Sequence, residues 1–447
     1  MAVFAPCQFK IRVEDSVLDD LKYRLQHARV DKKNIENAGH DPSGSWAYGT
    51  DRGVLEQYLN HWRDRFDWRK QEDALNKLPH FMAKLHCPIS RRDLDIHFIH
   101  ATSSAPDAIP LLLVHGWPGS VVEFLKVIPL LNAAGFTVVA PSIPGYGWSE
   151  APTTPGANVW YMADRLHTLM QELGYAQYAA QGGDWGGAIT TRIARQYPKQ
   201  CVALHVNFCF NLPFDWYSAL KAVIGLPFMS RAEWAALKST LYFLKYETAY
   251  QRIQGTKPQS LAYGLNDSPL GLLAWHLEKF QSWSDCGSSP PEASGLTIDE
   301  ILTNVMVYWV TQSIGTSCRL YYESIGHHPR AAGPTALPGG YVPVPTGVLW
   351  ASRELIKLPR HVAAECFNLK QWSVQEKGGH FFAFEQPEAM AADVTKFFKR
   401  TIDFEECKRR APSKGQGPGL QPLRYLILSS IICGTALAAG KLWRSRL

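Results

Sequence analysis

Gly182-Gly183-Asp184-Trp185-Gly186-Gly187 separates an apolar run from a helical pattern, and the fold prediction starts from it. Glycine tolerates the backbone angles of a sharp turn. Small residues around one polar residue therefore predict a strand-to-helix turn that exposes the side chain of Asp184. The alternative interpretation is an ordinary glycine-rich turn in which Asp184 caps the following helix.

A carboxylate exposed at such a turn has a particular chemistry. It can attack a carbon atom directly and leave an ester on the protein. The turn carries no hydroxyl group that would serve acyl transfer. The pattern therefore favours displacement at an sp³ carbon, as in an epoxide or an alkyl halide.

Composition limits the class of protein. The 447 residues are 46% hydrophobic, which suffices for one large domain with additions or for two or three smaller domains. The net charge of +6 lies partly near the C-terminus and forms no basic stripe, which argues against a nucleic-acid partner. Nine scattered cysteines without a C-x-x-C pair argue against disulfides and against a metal site, and predict a reduced protein facing the cytosol.

The order of apolar runs and helical patterns predicts the architecture. Strands are predicted at 109–115, 137–140, 175–181 and 201–208, and helices between them at 121–131, 160–173 and 188–197. Such alternation is typical of an α/β fold with a mostly parallel sheet and helices on both faces.

Between residues 212 and 340 the alternation stops and helical patterns dominate, one of them over 298–322. An insertion of this kind is expected to form a lid over the carboxyl ends of the strands, where α/β sheets bind ligands. The predicted parts of the chain are an N-terminal helical extension with one strand at 95–100 (1–105), the first half of the core (106–211), the lid (212–340), the second half of the core (341–403), a linker (404–422) and a C-terminal helix (423–443).

The C-terminal segment is predicted to be a membrane anchor. Sixteen uncharged residues from Tyr425 to Gly440 lie between Arg424 and Lys441, and a Pro- and Gly-rich linker precedes them. As a helix they would span about 24 Å, which flanking residues could extend toward the ~27 Å core of the endoplasmic reticulum bilayer. The alternative is an amphiphilic helix docked on the protein or on a partner. The first ten residues show no signal-peptide pattern.

Three residues in chain order form a candidate catalytic triad. Asp184 is the candidate nucleophile, and Glu354 and His380 follow the predicted strands at 346–351 and 371–375. A carboxylate after the first of these strands can orient the imidazole that comes after the second, and stabilise its charged form. The alternatives are a loop histidine and a helix-capping glutamate without catalytic roles.

His115-Gly116-Trp117-Pro118-Gly119 follows the first strand of the α/β pattern. Backbone N–H groups at this position and directly after the nucleophile form an oxyanion hole in enzymes with this kind of turn. The predicted donors are the amides of Trp117 and Trp185. The bond between Trp117 and Pro118 can be cis, as any X-Pro bond can.

With these motifs the chain resembles the microsomal-type epoxide hydrolases, the group that includes juvenile hormone epoxide hydrolases, within the α/β-hydrolase superfamily. The resemblance extends to about residue 403. It rests on the two glycine motifs described above and on Asp67-Trp68-Arg69, Leu75-Asn76, Ile96-His-Phe-Ile-His100, Gln254-Gly-Thr-Lys-Pro258, Leu265-Asn-Asp-Ser-Pro269 and Gly378-Gly-His-Phe.

The resemblance implies an α/β-hydrolase fold and two lid tyrosines that hold the epoxide oxygen and donate a proton to it. At the matching positions this chain has Tyr250 and Tyr321, with Tyr322 adjacent as an alternative for the second. The implied reaction converts a lipophilic epoxide into a vicinal diol through an aspartyl ester and needs no metal or organic cofactor. Members of the group usually have an N-terminal apolar helix, which is not found here, so the C-terminal segment is the candidate replacement.

Two alternatives remain at this point. One is a haloalkane dehalogenase, which shares an aspartate nucleophile but lacks the paired tyrosines. The other is a lipid-binding relative without turnover. The expected partners are a small lipophilic epoxide, water and a membrane bound through the C-terminal segment, and no nucleic acid. The expected location is the endoplasmic reticulum membrane with the catalytic domain facing the cytosol, in detoxification or lipid metabolism.

Overall fold

The computed structural model describes residues 4–31, 46–209, 211, 216–326 and 339–402. Within these ranges the strands are β1 (Cys7–Phe9), β2 (His80–Cys87), β3 (Arg92–Ala101), β4 (Ile109–Val114), β5 (Phe136–Pro141), β6 (Tyr178–Gly182), β7 (Cys201–Val206), β8 (Val342–Ala351) and β9 (Phe367–Gln375).

The helices in the same ranges follow in chain order. They are α1 (Asp15–Gln26), α2 (Arg52–Asp64), α3 (Trp68–Leu75), α4 (Val127–Ala133), α5 (Val159–Glu172), α6 (Asp184–Gln196), α7 (Trp216–Gly225), α8 (Arg231–Tyr242), α9 (Ala249–Gln254), α10 (Pro258–Asp267), α11 (Pro269–Trp283), α12 (Ile298–Thr311), α13 (Ile314–Ile325), α14 (Arg360–Cys366), α15 (Phe382–Glu385) and α16 (Pro387–Thr401).

The described strands form one sheet in the order β1-β2-β3-β5-β4-β6-β7-β8-β9. The six strands from β5 to β9 in this order are parallel, whereas β1, β2 and β3 join the edge as an antiparallel meander. The predicted α/β architecture with a mostly parallel sheet is confirmed.

Side chains of the central strands alternate between two apolar layers. Leu111 and Leu113 belong to the core that contains α4 and α16, and Leu112 and Val114 belong to the core that contains α5, α6 and the lid helices. Strands covered on both faces need a nearly continuous apolar sequence. This explains why 109–114 carries no charged residue. Burial of each such leucine stabilises the fold by about 1.5–3 kcal/mol.

The N-terminal extension contains more strand than predicted: the strand expected at 95–100 lies within β3, whereas β1 and β2 were not expected. It contributes β1, β2 and β3 as well as α1, α2 and α3. The strand β2 pairs with β3 over its whole length, from His80 opposite Ile99 to Cys87 opposite Arg92. Because β2 is covered on one face only, its mixture of polar and apolar residues carries a weak strand signal, and it was missed.

The lid also departs from the prediction in one respect. The single helix expected over 298–322 is two helices, α12 and α13. The break falls at Gln312, whose φ of 52° lies in the left-handed region. The residue at the break is neither glycine nor proline, and Gly315 lies inside α13, so periodicity alone continued the helix through it.

Helices are the only regular elements of the described residues between β7 and β8. Residues 423–443, predicted to form the membrane anchor, lie outside the described residues. No helix within the described ranges combines the length and the apolar character needed to cross a bilayer. The boundaries given above for the parts of the chain stay predictions.

Candidate active site

The candidate nucleophile lies at the turn between β6 and α6. β6 ends at Gly182, and α6 begins at Asp184, whose φ of 47° is left-handed. A non-glycine residue in this region costs about 1–3 kcal/mol, and such residues concentrate at functional sites. The sharp turn predicted from the sequence is present, and its backbone strain lies at the aspartate itself.

The glycines of the turn have a different purpose from the one the sequence suggested. Gly182 and Gly186 do not adopt left-handed angles. Instead, a Cβ atom on Gly186 would lie 1.9 Å from the carbonyl oxygen of Val114, and one on Gly182 would lie 2.3 Å from the Gly186 backbone. They are needed because α6 begins in close contact with the ends of β4 and β6.

The three candidate triad residues come together. His380 Nδ1 lies 2.6 Å from Glu354 Oε1, and His380 Nε2 lies 3.3 Å from Asp184 Oδ2. Glu354 follows β8 and His380 follows β9, so adjacent strands deliver the acid and the imidazole. This is the arrangement expected from chain order, with the imidazole between two carboxylates.

The loop before His380 is shaped by two glycines. Gly378 has a φ of 94°, and a Cβ atom on Gly379 would lie 2.4 Å from the carbonyl oxygen of Trp283. The His380 amide donates a hydrogen bond to that same carbonyl, at 2.8 Å. The lid helix α11 therefore holds the imidazole loop in place from above.

The charge state of His380 follows from its surroundings. Burial alone would lower its pKa, but the Glu354 charge and the contacts with Asp184 and Glu354 raise the pKa of His380 well above its ordinary value. The imidazole is therefore charged in the resting site at neutral pH. It can act as a base only after one of the neighbouring negative charges is removed.

One oxygen of Asp184 faces a backbone donor. The Trp117 amide donates a hydrogen bond to Asp184 Oδ1 at 2.8 Å, and the Trp117–Pro118 bond is cis. Asp184 Oδ1 therefore lies where a negatively charged oxygen would accept a hydrogen bond from the Trp117 amide. The other carboxylate oxygen, Oδ2, faces His380. Trp185 lies in the first turn of α6 directly after Asp184. Its amide as a second donor stays a prediction.

Tyr250 on α9 and Tyr321 on α13 contact each other and the indole rings of Trp117 and Trp185 beside Asp184. Their ring centroids lie 5.9 Å apart; Tyr250 stacks on Trp117 at 5.4 Å, and the edge of Tyr321 meets Trp185 at 4.8 Å. Tyr250 and Tyr321 are buried, with 5% and 2% of their surface exposed, whereas Tyr322 is half-buried. These contacts favour Tyr321 over Tyr322 as the second lid tyrosine.

Both buried hydroxyls keep their protons at neutral pH. Burial, together with the nearby Asp184 charge, raises the pKa of Tyr250 and of Tyr321 well above the ordinary tyrosine value. The Gln251 side chain donates a hydrogen bond to the Tyr250 hydroxyl at 2.9 Å. A neutral phenol beside an anionic carboxylate can donate a hydrogen bond to an electrophile bound between them.

Several residues at the site were not predicted from the sequence. The ring of Trp283 lies 5.2 Å from that of Tyr250 and 5.2 Å from that of His380. Glu123 lines the same small cavity as Asp184 and His380. Trp283 ends a lid helix and Glu123 follows a glycine turn, and neither belongs to a pattern that indicates catalysis.

The Glu123 carboxyl occupies space that a side chain at position 119 would fill. A Cβ atom on Gly119 would lie 1.4 Å from Glu123 Oε1. Burial raises the pKa of Glu123 to about 8, with the His380 charge lowering it and the Asp184 and Glu385 charges raising it. A proton on this carboxyl at neutral pH keeps a further negative charge away from Asp184.

Comparison with known proteins agrees with this geometry. Residues 6–124 match the family model described as epoxide hydrolase N terminus, and residues 109–387 match the one described as alpha/beta hydrolase fold. Epoxide hydrolase 1 from Sus scrofa is 37% identical over 413 residues, which cover 87% of this chain and 87% of that protein. The chain belongs to the epoxide hydrolase family.

Solved structures of this epoxide hydrolase family match the described fold. Juvenile hormone epoxide hydrolase from the silkworm Bombyx mori matches with a TM-score of 0.79 and 34% identity, over 90% of this chain and 96% of that one. Aspergillus niger epoxide hydrolase matches with a TM-score of 0.75 and 28% identity, over 90% of this chain and 98% of that one. The family resemblance seen in the sequence is thereby confirmed.

Proposed function

We propose that this protein hydrolyses lipophilic epoxides to vicinal diols through a covalent ester on Asp184. The observation that carries the proposal is the position of the Asp184 carboxylate. It lies between the Trp117 amide and the His380 imidazole, and the two neutral buried tyrosines contact the Trp117 and Trp185 rings beside it. A nucleophile, a proton donor and a base for the second step are thus within one small site.

The first step opens the epoxide. Asp184 Oδ2 attacks an epoxide carbon, so that a new C–O bond forms as the ring C–O bond breaks. Tyr250 and Tyr321 hydrogen-bond the departing ring oxygen and supply its proton. Oδ1, which accepts the hydrogen bond from the Trp117 amide, becomes the carbonyl oxygen of the ester.

The second step removes the ester. Ester formation cancels the Asp184 charge, so the pKa of His380 falls and the imidazolium releases a proton, which replaces the one that the tyrosines gave to the ring oxygen. The neutral imidazole, with only Glu354 as its charged neighbour in the triad, can then take a proton from water. The water oxygen attacks the Asp184 carbonyl carbon, and the amides of Trp117 and Trp185 stabilise the anion by about 3 kcal/mol per donor. The ester C–O bond then breaks, the diol leaves with a proton, and the carboxylate keeps the water oxygen.

Product analysis tests this function. Styrene oxide, a fatty-acid epoxide and a terpenoid epoxide should each be assayed for diol, beside an alkyl halide assayed for free halide. Diol formation without halide release supports the proposal. Halide release alone would favour a dehalogenase, and binding of epoxides without any product would favour a lipid-binding relative.

The tyrosine pair should control the first step. We expect Tyr250→Phe and Tyr321→Phe each to slow ester formation by about tenfold or more, and the double variant to slow it by about 10²–10⁴-fold, because the ring oxygen loses its proton donors. Stopped-flow quenching of tryptophan fluorescence measures this step. Tyr263→Phe on α10, where the tyrosine is 70% exposed, is the matched control and should behave as wild type. Unchanged rates in the double variant would exclude the pair as donors.

The rate of the second step should depend on pH through His380. In the ester the Asp184 charge is absent, but the Glu354 charge and hydrogen bond still raise the pKa of His380, so single-turnover ester hydrolysis should accelerate with pH and fail as the pH falls through that pKa. Glu354→Gln removes the negative charge that raises this pKa. The variant should therefore hydrolyse the ester more slowly, and the rising part of its pH–rate profile should move to lower pH. If the rising part of the profile stays at the same pH, a group other than His380 controls the rate.

We also propose that residues 423–443 tether the protein to the endoplasmic reticulum membrane, with the catalytic domain facing the cytosol. The support is the uncharged stretch from Tyr425 to Gly440 and the Pro- and Gly-rich linker before it. Such a location would suit a role in detoxification or lipid metabolism, since lipophilic epoxides partition into membranes.

Deletion of residues 412–447 tests the tether. The full chain should resist extraction from microsomes by alkaline carbonate, whereas the truncated enzyme should be extracted and keep its kcat on a water-soluble epoxide. An inactive aggregate would indicate that the deleted segment packs on the catalytic domain instead.

A further inference from the structure

The lid carries an exposed apolar surface that the proposed reaction does not use. Six apolar side chains between residues 216 and 228 are more than two-fifths exposed. We refer to them as the apolar lid surface: Trp216, Tyr217, Leu220, Val223, Ile224 and Phe228. The exposed fraction reaches 78% at Trp216 and 85% at Phe228. Exposed apolar clusters of this kind mark interaction sites.

The helix that carries most of this surface is attached to the protein along one side only. The described helix α7 contains no buried residue. His361 Nε2 donates a hydrogen bond to the Ala222 carbonyl at 3.0 Å, and a Cβ atom on Gly225 would lie 2.3 Å from the same imidazole. Lys221 forms an ion pair with Glu365 at 3.4 Å. These contacts fix α7 on α14 and leave its apolar side chains directed away from the core.

The next lid segment, which consists of α8 and the turn after it, also exposes apolar side chains. α8 begins beside the same helix α14, because the Arg360 amide donates a hydrogen bond to Glu233 Oε1 at 3.2 Å. After α8, a turn of π-helix covers Phe243–Glu247. Leu244 and Tyr246 in this turn are exposed by 42% and 57%.

The chemistry of the surface fits a lipid bilayer. α7 has ten residues and would measure about 15 Å, too short to cross a membrane but long enough to lie in the interface. Tryptophan and tyrosine favour the headgroup level, and Trp216 and Tyr217 are 78% and 54% exposed.

Charge around the surface favours anionic lipids. Residues 216–247 contain four basic side chains and two acidic ones. Lys221 is paired with Glu365, which leaves Arg231, Lys238 and Lys245 against Glu233 and Glu247. The remaining positive charge suits a membrane that contains phosphatidylserine or phosphatidylinositol.

The inner side of the same lid segment reaches the active site. Phe243 is buried, and its ring lies 6.4 Å from that of Trp283. Trp283 in turn contacts Tyr250 and His380, each with ring centroids 5.2 Å apart. The lid segment that carries Phe243 therefore lies between the exposed apolar surface and Tyr250, the proposed proton donor.

We propose that the apolar lid surface docks into the headgroup region of an anionic bilayer, through contacts separate from those of residues 423–443. The inference rests on the proposed function, because it names the membrane as the phase from which the lipophilic epoxide reaches the lid. The docked lid places the segment whose Phe243 contacts Trp283 against the membrane.

Hydrogen–deuterium exchange of the full chain tests the docking. With vesicles of phosphatidylcholine and phosphatidylserine, amides of 216–228 should exchange about tenfold more slowly than without vesicles. The exposed face of α10 around Tyr263 should not change. A Val223→Glu/Phe228→Glu variant should lose the protection, whereas Tyr263→Glu is the matched control that should keep it.

Kinetics provides a second measurement. The Val223→Glu/Phe228→Glu variant should raise KM severalfold for an epoxide dissolved in the vesicles and leave kcat and KM for a water-soluble epoxide unchanged. Circular dichroism should show that the variant folds like wild type.

Three exchange results would overturn the docking proposal. The first is an unchanged exchange rate of 216–228 on vesicles. The second is protection without vesicles that increases with protein concentration, which would assign the surface to a second copy of the chain. The third is protection without vesicles that disappears when residues 412–447 are deleted, which would assign it to the C-terminal segment. Because exchange needs no turnover, protected amides without diol formation would contradict only the proposed reaction.

Discussion

Turnover is expected to disappear when Asp184 is replaced by alanine, with a fall in kcat of about 10⁴-fold or more. The Trp117 amide and His380 would then face a methyl group, and no atom at the turn could form the ester. The measurement is diol formation under saturating epoxide, after thermal unfolding has shown that the variant is folded.

Asp184→Asn is the matched control for shape. Asparagine tolerates the left-handed φ of 47° better than alanine, and its carbonyl oxygen can still accept the Trp117 hydrogen bond. It is nevertheless a poor nucleophile, so it should be inactive as well. Activity retained in the alanine variant would remove Asp184 as the nucleophile, whatever the result for asparagine.

His380→Gln is expected to separate the two chemical steps. The variant retains Asp184 and both tyrosines, so it should open one equivalent of epoxide and then stop, because no base activates water against the ester. Steady-state turnover should fall by about 10⁴-fold. Mass spectrometry of the peptide that contains Asp184 should show an increase equal to the mass of the epoxide.

The same variant can contradict the assigned order of steps. If His380→Gln forms no ester, the imidazole is needed for ring opening and not only for hydrolysis. Tyr250→Phe/Tyr321→Phe is the useful comparison, because it should leave Asp184 unmodified for much longer. Ester accumulation in the tyrosine variant and not in the histidine variant would reverse the proposed roles.

The parts of the site that could be predicted from the sequence share one property. Asp184, Glu354 and His380 follow the ends of apolar strands, and parallel strands in one sheet bring such ends together. Chain order then identified the three residues, and the structure places them in contact. Their catalytic roles stay predictions.

The tyrosines and Trp283 show where such prediction ends. Tyr250 and Tyr321 lie on two lid helices whose packing is decided by long-range contacts, and only the family resemblance selected them among eighteen tyrosines. Trp283 joins Tyr250 and His380 through aromatic contacts across the lid and the core. No periodicity within a single helix encodes contacts of that kind.

The glycine-rich turn at Asp184 differs from its prediction in the residue that adopts the left-handed angle. Its glycines indicated a sharp turn, and the turn is present, but the left-handed angle belongs to Asp184. Gly182 and Gly186 are needed instead because β4, β6 and α6 approach each other too closely there to leave room for a Cβ atom. Both uses of glycine produce the same letters in a sequence, and only coordinates distinguish them.

The account depends most directly on the origin of one oxygen atom. A single turnover with enzyme in excess over epoxide, carried out in ¹⁸O-labelled water, should release a diol that contains only ¹⁶O, because the new oxygen comes from Asp184. The solvent label should appear in the Asp184 carboxylate instead. If ¹⁸O enters the diol in this first turnover, water attacks the epoxide directly, and the covalent mechanism is wrong.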